Sequence, residues 1–155
     1  MAGSTYALVT PVRNEAANLD RLAASLDAQT RSPLRWVIVD NGSSDATLDV
    51  ANAFAAERDW VRVISVPAEA GPPRPGAPIV RAFHAGLCEL DCDPDVTVKL
   101  DADVSMDAHH FERLLAAFDA DPTLGIASGT CLEERDGEWT PVRVARGHVR
   151  GAVRA

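Results

Sequence analysis

VTVKLDADVSMD (Val96–Asp107) starts as a strand and ends in a cluster of charge. Val96, Thr97 and Val98 are β-branched, and Leu100 extends the apolar run. Two carboxylates, Asp101 and Asp103, follow within three residues. Like charges this close repel each other unless something positive lies between them. A helix cap would account for one of them. A divalent cation would account for both.

Upstream of this stretch, strand-like and helix-like segments alternate. Residues 6–10 (YALVT), 34–40 (LRWVIVD) and 61–66 (VRVISV) are short apolar strands. Between them, Leu19, Leu22, Ala23 and Leu26 recur at helical spacing. The break NGSSD precedes a second helix over residues 45–59, with Ser44 or Asp45 as its cap. PAEAGPPRPGAP carries too much proline and glycine for regular structure, and Pro78 opens a third helix reaching Cys92. Downstream, Phe111, Leu114, Leu115 and Phe118 mark a fourth helix, with Asp107 as the expected cap. Residues 124–133 and 138–145 read as strands around an RDG turn.

Repeated strand–helix alternation predicts an α/β fold, Rossmann-like, with a mostly parallel sheet and helices on both faces. All 155 residues are read as one domain, a length sufficient for a real core. Such sheets bind ligands outside the carboxyl ends of their strands. The segments there are PVRNE, DNGSSD, the Pro/Gly loop with Arg74, and DAD. The special residues therefore collect on one rim.

Asp101 and Asp103 offer hard oxygen donors, which suit Mg²⁺ or Mn²⁺. Mg²⁺ takes one or two carboxylates and completes its shell with water and substrate phosphates. A two-carboxylate site therefore implies a phosphate-bearing ligand, and a diphosphate leaving group fits. No GxxxxGK[ST] is present, which excludes a P-loop, and no GxGxxG follows the first strand.

Composition narrows the classes further. Apolar residues make up 46% and charged residues 25%, as in ordinary globular proteins. The net charge of −8 argues against nucleic-acid binding through phosphates. No apolar run is long enough for a transmembrane segment, which leaves peripheral membrane association open. With three cysteines and no signal-peptide pattern at the start, reduced thiols and a cytoplasmic location are expected. Cys88 and Cys92, four apart on the expected helix, read as small packed residues rather than half a zinc site.

Four motifs in order, TPVRNEAANLDRLAASLDAQT, WVIVDNGSSDAT, RAFHAGL and VKLDADVS, resemble family 2 glycosyltransferases of the GT-A fold over essentially the whole chain. The resemblance implies transfer of a sugar from a nucleotide-diphosphate-sugar donor, metal-assisted and inverting, to a sugar, lipid or other acceptor that the residues do not identify. It implies that Pro11, Arg13, Glu15 and Asp40 cradle the nucleoside. It places the metal on Asp103, with Asp101 near the ribose or behind the metal and Ala102 between them. Arg81 and His84 fall in a segment that shapes the donor site, although many relatives carry Asn where His84 stands. Family members run well past this length, and their second half supplies the acceptor site and the general base. A donor-binding portion, shortened at its C-terminus by natural truncation or as a fragment, is therefore expected. No residue after Gly129 is identified as the base; Glu133, Glu134, Asp136 and Glu138 flank a turn.

The same residues admit competing readings. One is a non-catalytic nucleotide-binding module lacking the acceptor half. A sugar-phosphate nucleotidyltransferase would need a Gly-rich loop after the first strand, and PVRNEAANL has no glycine. A haloacid-type phosphatase would place its Asp-x-Asp after the first strand, not the fourth.

Several residues have plainer expected roles. Lys99 lies two before Asp101, so alternation puts both on one face, as an offset to the acids or as an ion pair. Of His109 and His110, one is expected to face solvent and one to pack. Arg143, Arg146, Arg150 and Arg154 read as a solvated end. Trp36 and Trp60 read as core or cover, and Trp139 as exposed.

Overall fold

The computed structural model describes residues 3–67, 76–142 and 153–154. Eleven elements follow in chain order: β1 (Tyr6–Val12), α1 (Ala16–Asp27), β2 (Arg35–Asp40), α2 (Thr47–Glu57), β3 (Val61–Ser65), α3 (Ala77–Cys88), β4 (Val96–Leu100), α4 (His110–Ala120), β5 (Leu132–Arg135), β6 (Glu138–Pro141) and β7 (Val153–Arg154). The main sheet runs β3-β2-β1-β4-β7. The first four strands in that order are parallel, as strand–helix alternation predicts.

Strand alternation sorts the side chains onto two faces. Leu8, Trp36, Ile38, Val98 and Leu100 point to one face, where they pack with Leu19, Leu22 and Leu26 of α1, Ala51 of α2, and Phe111, Leu114 and Leu115 of α4. The predicted 3.6-residue stripes of α1 and α4 are thus core stripes. Trp36 stacks on Trp60 at 6.1 Å between ring centroids, and its indole N–H donates to the buried Thr10 hydroxyl at 2.9 Å. On the opposite face, Val9, Val37 and Val39 pack against Ala82, with Phe83 and Leu87 at the margin. That layer belongs to α3. Its contact with the sheet is close: a Cβ on Gly86 would lie 2.4 Å from Val9 Cγ1 and 2.9 Å from Val39 Cγ2. The glycine lets the helix backbone rest on the two valines.

Several boundaries differ from expectation. α3 ends at Cys88, so Cys92 lies off the helix and the two thiols do not share a helical face. Residues 124–130 form no strand. Asp136 and Gly137 both take positive φ, 55° and 84°, a two-residue turn that pairs Arg135 with Glu138. The ladder ends where Leu132 faces Pro141, a residue with no N–H to donate. Residues 143–145, like Arg74, Arg146 and Arg150, lie outside the described residues. Val153 and Arg154 are no free end: they pair antiparallel with Leu100 and Lys99.

The expected helix caps are also revised. α4 starts three residues after Asp107, whose Oδ1 instead accepts the His109 N–H at 3.0 Å. The Phe111 N–H, buried in the first turn, donates to Gln29 Oε1 at 3.2 Å. At α2, Asp45 Oδ1 accepts both the N–H (3.0 Å) and the hydroxyl (2.5 Å) of Thr47. The hydroxyl bond, above all, holds the Asp45 carboxyl below its ordinary range. Ser44 is turned away, its N–H donating to Asn14 Oδ1 at 2.8 Å.

Candidate functional site

The strand order reverses direction at β1, with β2 on one side and β4 on the other. Parallel strands whose connections leave in opposite directions open a crevice at their carboxyl ends. A cleft of about 410 Å³ occupies that place. Pro11, Val12, Arg13 and Glu15 line it from the end of β1, and Asp101, Ala102 and Asp103 from the end of β4. Asn41 contributes from just after β2, and Pro78 and Ile79 form a wall at the start of α3. Six of the predicted residues therefore meet: Pro11, Arg13, Glu15, Asp101, Ala102 and Asp103.

The geometry of the Asp-Ala-Asp turn follows from burial. Ala102 is buried in the core, and Val104 and Met106 are partly buried against it. Asp103, Ser105 and Asp107 alternate with them and are exposed, and Asp101 is half-buried. The period of two continues past the end of β4 and keeps the carboxylates on the open side. Asp101 forms an ion pair with Lys99. No side chain among the described residues pairs with the Asp103 carboxylate, whereas its backbone carbonyl accepts from Arg21 Nη2 at 2.8 Å.

The loop after β1 is bound to the loop after β2. Asn14 takes φ 57°, its N–H donates to Ser43 Oγ at 3.0 Å, and its side chain accepts from Ser44. The Glu15 N–H donates to Thr47 Oγ1 at 2.8 Å, and the Asn41 N–H to the Val12 carbonyl at 2.9 Å. Asp40 is buried and does not line the cleft; its Oδ1 accepts the Ser43 N–H at 3.2 Å and closes the Asn41–Gly42–Ser43 turn. Arg81 and His84, on α3, also stand outside the lining. His84 Nδ1 lies 3.8 Å from the exposed Cys88 Sγ. Glu133, Glu134, Asp136 and Glu138 sit on the β5–β6 hairpin, and none lines the cleft.

Asn41, Ile79 and Arg21 were not singled out in the sequence. The only local signal for Arg21 is its i,i+3 spacing from Asn18, which is itself three residues after Glu15. No group of three or more His, Cys, Asp or Glu side chains that would cage a metal occurs among the described residues. A hard cation that draws its other ligands from phosphates and water is still compatible with a lone, exposed carboxylate at a cleft. No helix among the described residues is long and apolar enough to cross a membrane.

Among solved structures, the chain is similar to a mannosyltransferase from Pyrobaculum calidifontis in complex with GDP-Man and Mn²⁺. That likeness has a TM-score of 0.62 and 20% identity, and covers 81% of this chain and 35% of the other. It is also similar to residues 1–349 of S. aureus TarS in complex with UDP-GlcNAc (TM-score 0.59, 20% identity, 75% and 31% covered). At these identities the likeness establishes the GT-A fold. In sequence, the chain is 34% identical over 119 residues to an uncharacterized glycosyltransferase of Mycobacterium tuberculosis, covering 77% of this chain. It spans 46% of that relative's length. The Glycosyl transferase family 2 model matches residues 7–146. Motif order, sheet and sequence match agree, and the chain belongs to glycosyl transferase family 2.

Proposed function

We propose that the cleft binds the nucleoside diphosphate of a sugar donor, and that the protein transfers the sugar to an acceptor hydroxyl with inversion. The observation that carries this reading is the meeting of Arg13 and Glu15 with Asp101 and Asp103 at the switch point of a family 2 chain. Solved proteins of the same fold hold UDP-GlcNAc, or GDP-Man with Mn²⁺, which supports the same ligand class here.

In this reading, the bonded loops after β1 and β2 cradle the nucleoside, with Arg13, Glu15 and Asn41 at its edge. Pro78 and Ile79 give an apolar wall. Asp103 is the protein ligand for Mg²⁺ or Mn²⁺, and Asp101, tied to Lys99, stands behind it. When bound, the ion supplies charge neutralisation of the departing diphosphate. The protein's own part is to hold the donor's phosphates beside Asp103 and to aim fixed dipoles at the charge that develops there.

Isothermal titration with UDP, GDP, CDP, ADP and dTDP, in Mn²⁺ and in EDTA, tests the proposal. Selective binding of one base, strengthened by Mn²⁺, is expected. Folded protein that binds none of the five would refute it.

A further inference from the structure

Glu15, Asn18 and Arg21 are spaced by three, so each side chain neighbours the next along α1 and its lead-in. Asn18 Nδ2 donates to Glu15 Oε2 at 2.7 Å. Arg21 Nη2 donates to Asn18 Oδ1 at 3.3 Å and to the carbonyl oxygen of Asp103 at 2.8 Å. A continuous run of hydrogen bonds therefore joins a carboxylate on one lip of the cleft to the backbone of the carboxylate residue on the other. The last bond spans 82 positions of sequence.

Asp103 needs such a hold. The β1–β4 register stops at Val9↔Lys99, four residues before it. Beyond β4, the inward side chains of Ala102, Val104 and Met106 anchor the segment by packing. Packing fixes the depth of the turn, whereas a bond to the Asp103 carbonyl fixes the rotation of its peptide and so the direction of its carboxylate. Arg21 is itself exposed and takes no part in the core, so the contact is not a by-product of packing.

We propose that Arg21 is a positioning residue for the metal ligand Asp103, and that through Asn18 it couples the nucleoside side of the cleft to the metal side. The proposal rests on the donor-site reading above. Outer partners that orient a metal ligand contribute roughly 10–100-fold to metal affinity.

The test compares wild type, Arg21→Ala and Arg21→Lys by titration with the same five nucleoside diphosphates, in MnCl₂ and in EDTA, alongside thermal melting. For Arg21→Ala, affinity in Mn²⁺ is expected to fall about 10–100-fold, with affinity in EDTA and the melting temperature unchanged. Arg21→Lys is expected to recover part of the loss, because an ammonium can still donate to one carbonyl. An unchanged affinity of Arg21→Ala in Mn²⁺, or an equal loss in Mn²⁺ and EDTA, would overturn the positioning role while the donor site stands. Wild type that binds equally in both buffers would overturn it as well. Wild type that binds no nucleotide in either buffer would overturn the donor site and this proposal together.

Discussion

Lys99 and Asp101 face the same side of β4 and its extension and form an ion pair beside the cleft. The first carboxylate of the Asp-Ala-Asp turn is therefore already matched by a positive charge, whereas Asp103, which also lines the cleft, has no side-chain partner among the described residues. Replacing Lys99 by Met would leave Asp101 to seek another cation. Binding of Mn²⁺ without nucleotide, followed by electron paramagnetic resonance, is expected to strengthen about tenfold. A change of this size, ~1.4 kcal/mol, is a fraction of the roughly 4 kcal/mol that a unit charge exerts at ~4 Å near a surface. Folding stability should fall by no more than ~1 kcal/mol, since the pair is partly solvated.

Asp103→Asn keeps the size and polarity of the side chain and removes its charge. In Mn²⁺, nucleoside diphosphate affinity is expected to drop at least as much as the roughly 10–100-fold typical of losing a metal's outer partner. In EDTA, wild type and variant should bind alike. Equal affinities in Mn²⁺ would exclude Asp103 as the metal ligand.

Gly86→Ala sets a methyl group against Val9 and Val39, at distances that real contacts do not tolerate. Urea denaturation is expected to show a loss of about 1–3 kcal/mol, the usual effect of overpacking. Because Pro78 and Ile79 ride on the same helix, the cleft should also change width, and nucleotide affinity with it. Gly76→Ala, where nothing lies within 4 Å of the added Cβ, would strain the φ of 82° without crowding the core.

His110 supplies a pH signature. Its ring packs edge-on against Phe111, and its Nε2 is buried without a hydrogen-bond partner among the described residues. Burial lowers its pKa from 6.5; the neighbouring Asp107 opposes this and Arg113 reinforces it. The unfolded chain therefore takes up the proton first as pH falls. Stability should decline as pH drops through about 6.5, then level off below the depressed folded value. His110→Gln should remove that slope. Asp45, Asp95, Asp107 and Asp121, whose carboxyls are held below 3.8 by hydrogen bonds, act only in a more acidic window. An unchanged slope in His110→Gln would show that another group titrates.

The core stripes of α1 and α4 were legible because burial of one face imposes a period that any sequence must obey. Leu19, Leu22, Leu26, Phe111, Leu114 and Leu115 are all buried where the spacing puts them. The cleft was legible for a similar reason, since topology fixes which strand ends are neighbours. What escaped was long-range and polar. Gln29 bonds Ser25, Asp107 and Phe111 at once, and nothing near it in sequence marks it as a cap for α4. β7 is a two-residue strand, too short to show a pattern. Asp40 is buried at the end of β2 and closes its own turn by accepting the Ser43 N–H, a contact that no spacing marks.

The bonds between Asn14 and Ser43, Asn14 and Ser44, and Glu15 and Thr47 carry an evolutionary consequence. Two loops about thirty residues apart in the chain behave as one mutational unit. A change at Ser44 alters the value of Asn14, and the effects of the two should not add. If the cleft binds a nucleoside as proposed, changing its base preference is therefore a problem of paired rather than single substitutions.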